Sequence, residues 1–277
     1  MIICIVGPTG VGKTKLSIEL AKKCNGEVIN ADSTQVYRGL DIATAKVTNE
    51  EKEGIPHYLF DIKDITDDYT VYDYQNDCRN IINEIINREK TPIIVGGTGL
   101  YIKASLYDYQ FEQEVIRKDY SNYTNEELYN LLKSVDNNTL IHMNNRKRVE
   151  RALNYYYEHN TPMSSKDIND NLLYDRINRR VDKMVNDGLL DEAKKIYGSN
   201  IRSKAVMTPI GYKELFPYFD GDKELNECID LMKQNSRRYA KRQYTWFNNQ
   251  MNVKWFNVDF NDFSNTVNEV MDYIGLN

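Results

Sequence analysis

A complete anion-binding loop pattern stands directly behind the first apolar segment of the chain. Residues 7–14 read GPTGVGKT, which matches the pattern GxxxxGK followed by Ser or Thr at every fixed position. The apolar run at residues 2–6 predicts a strand before the loop, and Leu16, Leu20 and Ala21 share one face of a helix predicted after it. Because converging backbone N–H groups at a helix N-terminus attract anions, this order predicts a site for a polyphosphate.

The residue types inside the loop suit the binding of phosphate and of magnesium. Glycine lets the backbone turn so that successive N–H groups approach one anion. Lys13 supplies a mobile positive charge, and the Thr14 hydroxyl is the predicted protein ligand of Mg²⁺, which we expect as the cofactor. The predicted phosphate-binding residues are Gly7, Pro8, Thr9, Gly10, Val11, Gly12, Lys13 and Thr14.

Strand and helix signals alternate in the amino-terminal part and then become helical. The predicted strands are 2–6, 27–31, 57–62, 92–95 and a returning strand at 253–258. Besides the helix after the loop, the predicted helices are 71–88, 124–135, 145–158, 174–197, 222–250 and 266–274. We therefore predict an α/β, P-loop NTPase-like core with a mainly parallel sheet at 1–110 and 170–277, and an inserted all-helical lobe at 111–169.

The composition indicates a globular protein of a reducing compartment. The 277 residues, 41% of them hydrophobic, are enough to bury a core without disulfide or metal. The four cysteines are scattered without a CxxC pair, which argues against a zinc site and a disulfide framework. Because no apolar run approaches about 18 residues and no signal-peptide pattern opens the chain, we expect a cytoplasmic protein without membrane contact.

Asp32 ends the apolar strand pattern EVINA and is the first candidate for a catalytic group. The later buried pattern PIIV ends in Gly-Gly-Thr-Gly, where nucleotide-hydrolysing proteins with such loops carry a metal-holding Asp. We therefore interpret Asp32 as a group on the side of the acceptor substrate, as in small-molecule kinases. A cap of the following turn is the structural alternative, and both roles are compatible.

A basic and aromatic stretch near the carboxyl terminus predicts contact with nucleic acid, although the net charge is −5. Residues 231–258 contain no acid and carry six positive charges interleaved with Tyr239, Tyr244, Trp246 and Phe247. Phosphate contacts provide most nucleic-acid affinity, and unstacked bases prefer aromatic platforms. A second basic cluster lies at 146–151. A solvated charged face is the structural alternative for both clusters.

Five motifs form a combination that is far more specific than the phosphate loop alone. They are GPTGVGKT, VINADSTQVYRGLDIATAK, PIIVGGTGLYIKA, IGYKEL and RRYAKRQYTWF. Together they resemble the tRNA dimethylallyltransferases, also called tRNA isopentenyltransferases or IPP transferases. The resemblance covers residues 3–105 and 172–256.

This resemblance implies transfer of a dimethylallyl group from dimethylallyl diphosphate to N6 of adenosine 37, beside the anticodon of tRNAs that read codons starting with U, with release of diphosphate. The resemblance further implies that Asp32 accepts a proton from the amine, Thr98 contacts the bridging oxygen, and Arg180 contacts the diphosphate. Arg176 and Arg179 are the alternatives to Arg180 in this register. An N-cap of the helix predicted behind it is the structural alternative for Thr98.

The implied partners are dimethylallyl diphosphate and the anticodon stem-loop of tRNA, bound by a monomer whose helical lobe embraces the RNA. The target adenine is expected to leave its stack. The predicted tRNA-binding residues are Asp32, Ser33, Thr34, Gln35, Thr98, Arg117, Lys147, Arg148, Val149, Glu150, Arg151, Thr208, Pro209, Ile210, Gly211, Tyr212, Lys213, Arg237, Arg238 and Arg242.

Two other functions are compatible with a phosphate loop. A P-loop small-molecule kinase would use Asp32 as a base toward an alcohol and would turn over ATP. An RNA-binding module that uses a nucleotide as a switch would show nucleotide-dependent RNA affinity without forming a product.

Two stretches of the chain are shorter than the family pattern. They lie between Leu106 and Tyr120 and between Ser164 and Leu173.

Overall fold

The computed structural model describes residues 1–107, 119–139, 141–159 and 171–276. The chain divides into two compact units. The first contains Met1–Tyr109 and Asp170–Asn277, and the second contains Gln110–Asn169. Each unit has an apolar core of its own, so each is described separately below.

The first unit begins as alternating strands and helices and continues as helices. Its first part contains β1 (Ile3–Val6), α1 (Lys13–Lys23), β2 (Gly26–Asn30), β3 (His57–Tyr58), α2 (Val71–Asn87), β4 (Thr91–Gly96) and α3 (Gly99–Leu106). Its second part contains α6 (Asn171–Asn186), α7 (Leu189–Gly198), α8 (Lys204–Met207), α9 (Tyr212–Phe219), α10 (Leu225–Gln250) and α11 (Phe263–Ile274). The second unit contributes α4 (Asn125–Val135) and α5 (Arg146–His159).

All pairings in the described sheet are parallel, in the order β1-β4-β2-β3. Parallel strands end at one edge of a sheet, and that edge is where open α/β folds bind ligands. Here it carries the phosphate loop after β1, Asp32 after β2 and Thr98 after β4. The predicted α/β fold with a mainly parallel sheet is confirmed.

Helices cover both faces of the sheet, as the strand β2 requires because all of its residues are buried. On one face, Ile29 and Ile94 share a core with Phe247 and Met232 of α10. On the other face, β1 packs with α1 and with α11, where Val267 is buried. The carboxyl-terminal helices are therefore part of the core that supports the site.

The second unit is held by the packing of α4 on α5. Leu128 and Leu132 of α4 share a core with Val149 and Leu153 of α5. The guanidinium of Arg146 donates hydrogen bonds to main-chain oxygens of the segment before α4, at 2.5 and 2.8 Å. In the described ranges of the two units, no helix combines the length and apolarity needed to cross a bilayer.

Three predicted elements differ from the structure. In the described carboxyl-terminal range, residues 252–259 form no strand, because Trp255 packs against Tyr244 of α10 with ring centroids 4.6 Å apart and Phe256 packs against α11. The predicted strand 57–62 contains only two residues, since Leu59 and Asp61 adopt positive φ angles of 63° and 55°. The predicted helix 174–197 is broken at Gly188 into α6 and α7.

The short helices α8 and α9 were not predicted. The signal for α9 is present, because Glu214 stands three residues after Gly211 and its carboxylate accepts the Gly211 N–H at 2.9 Å. Gly211 has φ 143°, and a side chain there would begin 2.9 Å from the methyl group of Ala43. Glycine at this position therefore allows α9 to approach the 41–46 segment.

Candidate active site

A cavity of about 380 Å³ lies in the first unit beside the ends of β1 and β2, within the range of about 300–1,000 Å³ common for ligand pockets. Its polar wall contains Thr9, Asp32, Ser33, Thr34 and Arg180. Its apolar wall contains Ile177, Val181, Met184, Ile210 and Met232. The remaining lining residues are Ala43, Thr44, Thr208, Pro209, Lys213, Glu214, Asn235, Ser236, Tyr239 and Arg242. The cavity thus suits a ligand with a polar and an apolar part.

The phosphate loop meets this cavity at Thr9, the loop residue that lines it. Gly10 and Gly12 have φ angles of 86° and 92°, which favour glycine. α1 begins at Lys13 and has no acidic residue in its first turn, so no carboxylate there offsets the partial positive charge of its N-terminus. Lys13 Nζ donates to the Pro8 oxygen at 2.8 Å, across the loop.

Two half-buried cations, Lys13 and Arg180, lie at this end of the site. Burial and, after it, the charge of Arg180 lower the pKa of Lys13 to about 8, although the charge of Asp32 opposes both effects. Burial also lowers the pKa of the Arg180 guanidinium. Because desolvation disfavours the charged forms of both cations, an anionic ligand beside them would stabilise their charges.

The structure distinguishes the three arginines of α6. Arg180 Nη1 donates to Thr9 Oγ1 at 2.7 Å and lines the cavity. Arg176 Nε donates to the Gly10 oxygen at 3.1 Å, and its guanidinium lies 3.7 Å from the ring centre of Phe260. Arg179 is exposed. Arg180 is thus the arginine of α6 that both contacts the loop and faces the cavity.

Asp32 combines a structural contact with access to the cavity. Its Oδ1 accepts hydrogen bonds from the main-chain N and the hydroxyl of Thr34, at 2.9 and 2.7 Å. The Asp32 side chain therefore does cap the turn that follows it, as the structural alternative predicted. Among the described residues, no hydrogen bond reaches Oδ2. One carboxylate oxygen stays available to a ligand while the other orients the group.

Thr98 occupies the N-cap position of α3, but its hydroxyl makes no capping hydrogen bond. Instead, Oγ1 accepts the Ser33 N–H at 3.0 Å and lies 3.3 Å from Ser33 Oγ. This contact ties the segment after β4 to the segment after β2. Thr98 does not itself line the cavity among the described residues, whereas Ser33 does.

A magnesium ion would have to rely on ligand oxygens as well as on Thr14. Thr14 is exposed at the first turn of α1, and within the described ranges its hydroxyl makes no hydrogen bond. The described residues contain no group of three or more His, Cys, Asp or Glu side chains arranged to hold a metal. This donor set fits Mg²⁺, which keeps several waters and binds through few protein ligands plus substrate phosphates.

The predicted 208–213 segment divides between the cavity and the core. Thr208, Pro209, Ile210 and Lys213 line the cavity. Tyr212 is completely buried, and its hydroxyl donates to Glu192 at 2.7 Å. The burial of Tyr212 contradicts a direct contact between its side chain and RNA. Its role in this structure is to hold α9 against α7.

The Val149 side chain is also completely buried, in the core of the second unit, so a contact between Val149 and RNA would have to use its main chain. Lys147, Arg148 and Arg151 are exposed, whereas Glu150 pairs with Arg146 at 2.7 Å. The predicted Arg117 lies outside the described residues.

The basic residues of α10 do not form one uniform solvated face. Lys233 Nζ pairs with Asp182 at 2.6 Å, and Arg237 Nη1 donates to Asn178 Oδ1 at 2.5 Å, so both are used in packing α10 on α6. Arg238 and Arg242 are exposed, and Arg242 also lines the cavity. The cavity end of α10 therefore keeps positive charge at the surface.

Several cavity residues were not singled out in the sequence. Tyr239, Asn235 and Ser236 lie on α10, and Met184 lies on α6. Tyr239 stands inside the motif RRYAKRQYTWF, but the motif does not indicate which of its side chains face the cavity. Gln35 faces the 41–46 segment instead, because its Nε2 donates to the main-chain oxygen of Thr44 at 2.9 Å.

Comparisons with known proteins agree on one family. The family model described as IPP transferase matches residues 35–250. The chain is 46% identical to a tRNA dimethylallyltransferase of Anoxybacillus flavithermus, over 99% of this chain and 96% of that protein. It is 45% identical to the tRNA dimethylallyltransferase of Bacillus subtilis, over 93% and 90% of the two chains.

Solved structures agree with this result. The full-length tRNA isopentenylpyrophosphate transferase of Bacillus halodurans superposes with a TM-score of 0.74 at 44% identity, over 99% of this chain and 95% of that chain. A eukaryotic dimethylallyltransferase, described as acting on tRNA, superposes with a TM-score of 0.67 at 31% identity, over 99% of this chain and 79% of that chain.

Proposed function

The chain belongs to the IPP transferase family, and on this basis we propose that it is a tRNA dimethylallyltransferase. It transfers the dimethylallyl group of dimethylallyl diphosphate to N6 of adenosine 37 in tRNAs that read codons starting with U, and it releases diphosphate. The observation that carries the proposal is the convergence of Lys13 and Arg180 on the phosphate loop where a partly apolar cavity begins. The small-molecule kinase alternative is not supported, because the relatives are prenyltransferases that act on tRNA.

The arrangement suits a donor with a diphosphate and a short hydrocarbon chain. Lys13, Arg180 and the N-terminus of α1 provide positive charge for the diphosphate. Ile177, Val181 and other apolar residues of the wall offer a surface for the five-carbon group. An ATP-hydrolysing site would instead need a metal-holding acid after the buried strand, whereas β4 ends at Gly96 and is followed by Gly97.

In the proposed reaction, the N6 lone pair attacks C1 of the donor as the bond between C1 and the bridging oxygen breaks. The bonding electrons leave with the diphosphate, and Asp32 accepts the proton released by the amine. Arg180 and Lys13 stabilise the charge that develops on the leaving group. Thr98 would act on the bridging oxygen through Ser33, which lines the cavity and whose N–H donates to the Thr98 hydroxyl.

Mg²⁺ is proposed as the cofactor because the exposed Thr14 hydroxyl stands at the start of α1. Thr14 and diphosphate oxygens would hold the ion, which would neutralise charge on the leaving group. Removing divalent cations with a chelator should therefore weaken donor binding.

The tRNA partner is proposed from the exposed cations of each unit. Arg238 and Arg242 in the first unit, and Lys147, Arg148 and Arg151 in the second, provide charges for phosphates. Lys213, at the wall of the cavity, would lie near the flipped base. The net charge of −5 is compatible with this role, because the positive field around the exposed cations acts locally.

Incubation of the protein with undermodified tRNA, Mg²⁺ and dimethylallyl diphosphate tests the proposal. Digestion to nucleosides and mass spectrometry should reveal N6-dimethylallyladenosine at position 37 and one diphosphate per transferred group. Absence of the modified nucleoside, with intact tRNA and folded protein, would contradict the proposed function.

A further inference from the structure

We infer that Gln243 is a positioning residue of the proposed reaction, because its carboxamide joins the phosphate loop to the segment that carries Thr98. The inference rests on the proposed function. Gln243 lies on α10 and is buried, with a relative exposure of 6%. Neither end of its carboxamide faces solvent, because both make long-range hydrogen bonds.

The two hydrogen bonds fix the carboxamide in one orientation. Gln243 Oε1 accepts the main-chain N–H of Thr9 at 2.8 Å. Gln243 Nε2 donates to the main-chain oxygen of Gly97 at 3.1 Å. Exchanging the oxygen and nitrogen of the amide would place donor against donor and acceptor against acceptor, so the assignment follows from the two main-chain partners.

The glycines after β4 leave the space that this arrangement needs. A Cβ atom added to Gly97 would lie 2.0 Å from Gln243 Nε2, and one added to Gly99 would lie 2.0 Å from the Trp246 ring. Any side chain at 97 would therefore displace the carboxamide or α10. Two motifs that are far apart in the sequence, PIIVGGTGLYIKA and RRYAKRQYTWF, thus meet at one buried contact.

The hydrogen bond between Gln243 and Thr9 would affect the position of the diphosphate. By accepting the Thr9 N–H, Gln243 fixes the main chain from which the Thr9 side chain extends, and the Thr9 Oγ1 accepts from Arg180 at 2.7 Å. Arg180 is the cation placed between the loop and the cavity. Loss of the carboxamide would free Thr9 and so shift the guanidinium.

The hydrogen bond between Gln243 and Gly97 would affect the position of Thr98 and of the proposed catalytic base, Asp32. Gly97 precedes Thr98, and Thr98 Oγ1 accepts the Ser33 N–H next to Asp32. Gln243 therefore fixes the distance between groups on the diphosphate and groups on the acceptor amine. Since a misplacement of about 1 Å at a reacting centre can cost on the order of 100-fold in rate, this spacing matters to turnover while touching neither substrate.

The test uses the full chain with Gln243→Met, which keeps the side-chain length and removes both hydrogen bonds. Gln243→Glu is the second variant, because its carboxylate still accepts from Thr9 but cannot donate to Gly97. Gln234→Met is the control, since Gln234 is exposed on the same helix. The turnover number, the KM for dimethylallyl diphosphate, the Kd for tRNA and the thermal midpoint are measured for each.

We expect both Gln243 variants to lose at least about tenfold in turnover number, with an unchanged Kd for tRNA and with Gln234→Met equal to the wild type. A turnover number within about threefold of the wild type in a folded Gln243 variant would overturn the inference. So would a loss of tRNA affinity as large as the loss of turnover, since that indicates general damage. Inactive wild-type protein would instead contradict the proposed function.

Discussion

The Arg180 guanidinium donates a hydrogen bond to the Thr9 hydroxyl over 2.7 Å, and this bond joins α6 to the phosphate loop. It brings a second half-buried cation to a site that already contains Lys13. Two neighbouring cations that are partly desolvated repel each other, and an anion between them stabilises both charges. The bond therefore relates the helical carboxyl-terminal part of the first unit directly to the binding of a diphosphate.

Replacing Arg180 by Ala should raise the KM for dimethylallyl diphosphate by about 10- to 100-fold, because a charge-assisted contact of about 1.5–3 kcal/mol is lost. Steady-state kinetics with saturating tRNA measures this effect. Arg179→Ala is the matched control, one position away on α6 but exposed, and it should keep the wild-type KM. Equal effects of the two substitutions would contradict the placement of Arg180.

Asp32→Asn should reduce the turnover number by about 100- to 10,000-fold, because an amide cannot accept the proton of the amine. The Asn oxygen can still accept from Thr34, so the turn and the Kd for tRNA should be preserved. Rapid single-turnover assays together with tRNA binding measurements separate the two quantities. Parallel losses of affinity and rate would show that Asp32 positions RNA instead of taking a proton.

Thr98→Val should also reduce turnover, by about 10- to 100-fold, because it removes the hydroxyl but keeps the branched shape. Thr98→Ser restores the hydroxyl that accepts from Ser33 and should recover most of the rate. The same single-turnover assay measures both variants. A valine variant that is as fast as the serine variant would exclude a role for the hydroxyl.

The KM for dimethylallyl diphosphate should be constant below about pH 8 and rise above it, since the free-enzyme pKa of Lys13 is about 8. Below that pH the ammonium is charged and holds the anion. Above it the free enzyme loses the proton that the complex retains, so affinity falls by at most about tenfold per pH unit. Lys13→Arg keeps its charge and should remove the rise. A rise that persists in Lys13→Arg would assign it to another group.

Arg238→Ala and Arg242→Ala should weaken tRNA binding and lower its salt dependence by about one unit of slope for each phosphate contact removed. Arg237→Ala should change the slope less and lower the stability instead, because this guanidinium already bonds to Asn178. Isotherms of tRNA binding at several salt concentrations give the slope for each variant, and thermal unfolding gives its stability. An equal decrease in slope for all three variants would contradict this difference.

The sequence predicted those parts of the site that depend on residue type at a strand end. The loop at 7–14, Asp32 and Thr98 all follow strands of one parallel sheet, and this topology brings them to the same edge. The capping alternative for Asp32 is present as a hydrogen bond, whereas Thr98 takes the N-cap position of α3 without a capping hydrogen bond, because its hydroxyl bonds to Ser33.

The remaining features depend on packing between distant segments. The role of Gln243 follows from where α10 crosses the ends of β1 and β4, which no local periodicity specifies. The burial of Val149 could have been inferred, since Val149, Ala152 and Leu153 share one helix face. The expected strand at 253–258 was wrong because its aromatic side chains pack on helices.

Isothermal titration calorimetry of the protein with dimethylallyl diphosphate and with ATP, each with Mg²⁺, tests most directly what the phosphate loop holds. Dimethylallyl diphosphate should bind with saturable heat at one site per chain, and Arg180→Ala should weaken that binding while Arg179→Ala should not. ATP should not be turned over. Saturable binding of ATP with formation of ADP, and no binding of dimethylallyl diphosphate, would contradict the assignment of the loop to an isoprenoid donor.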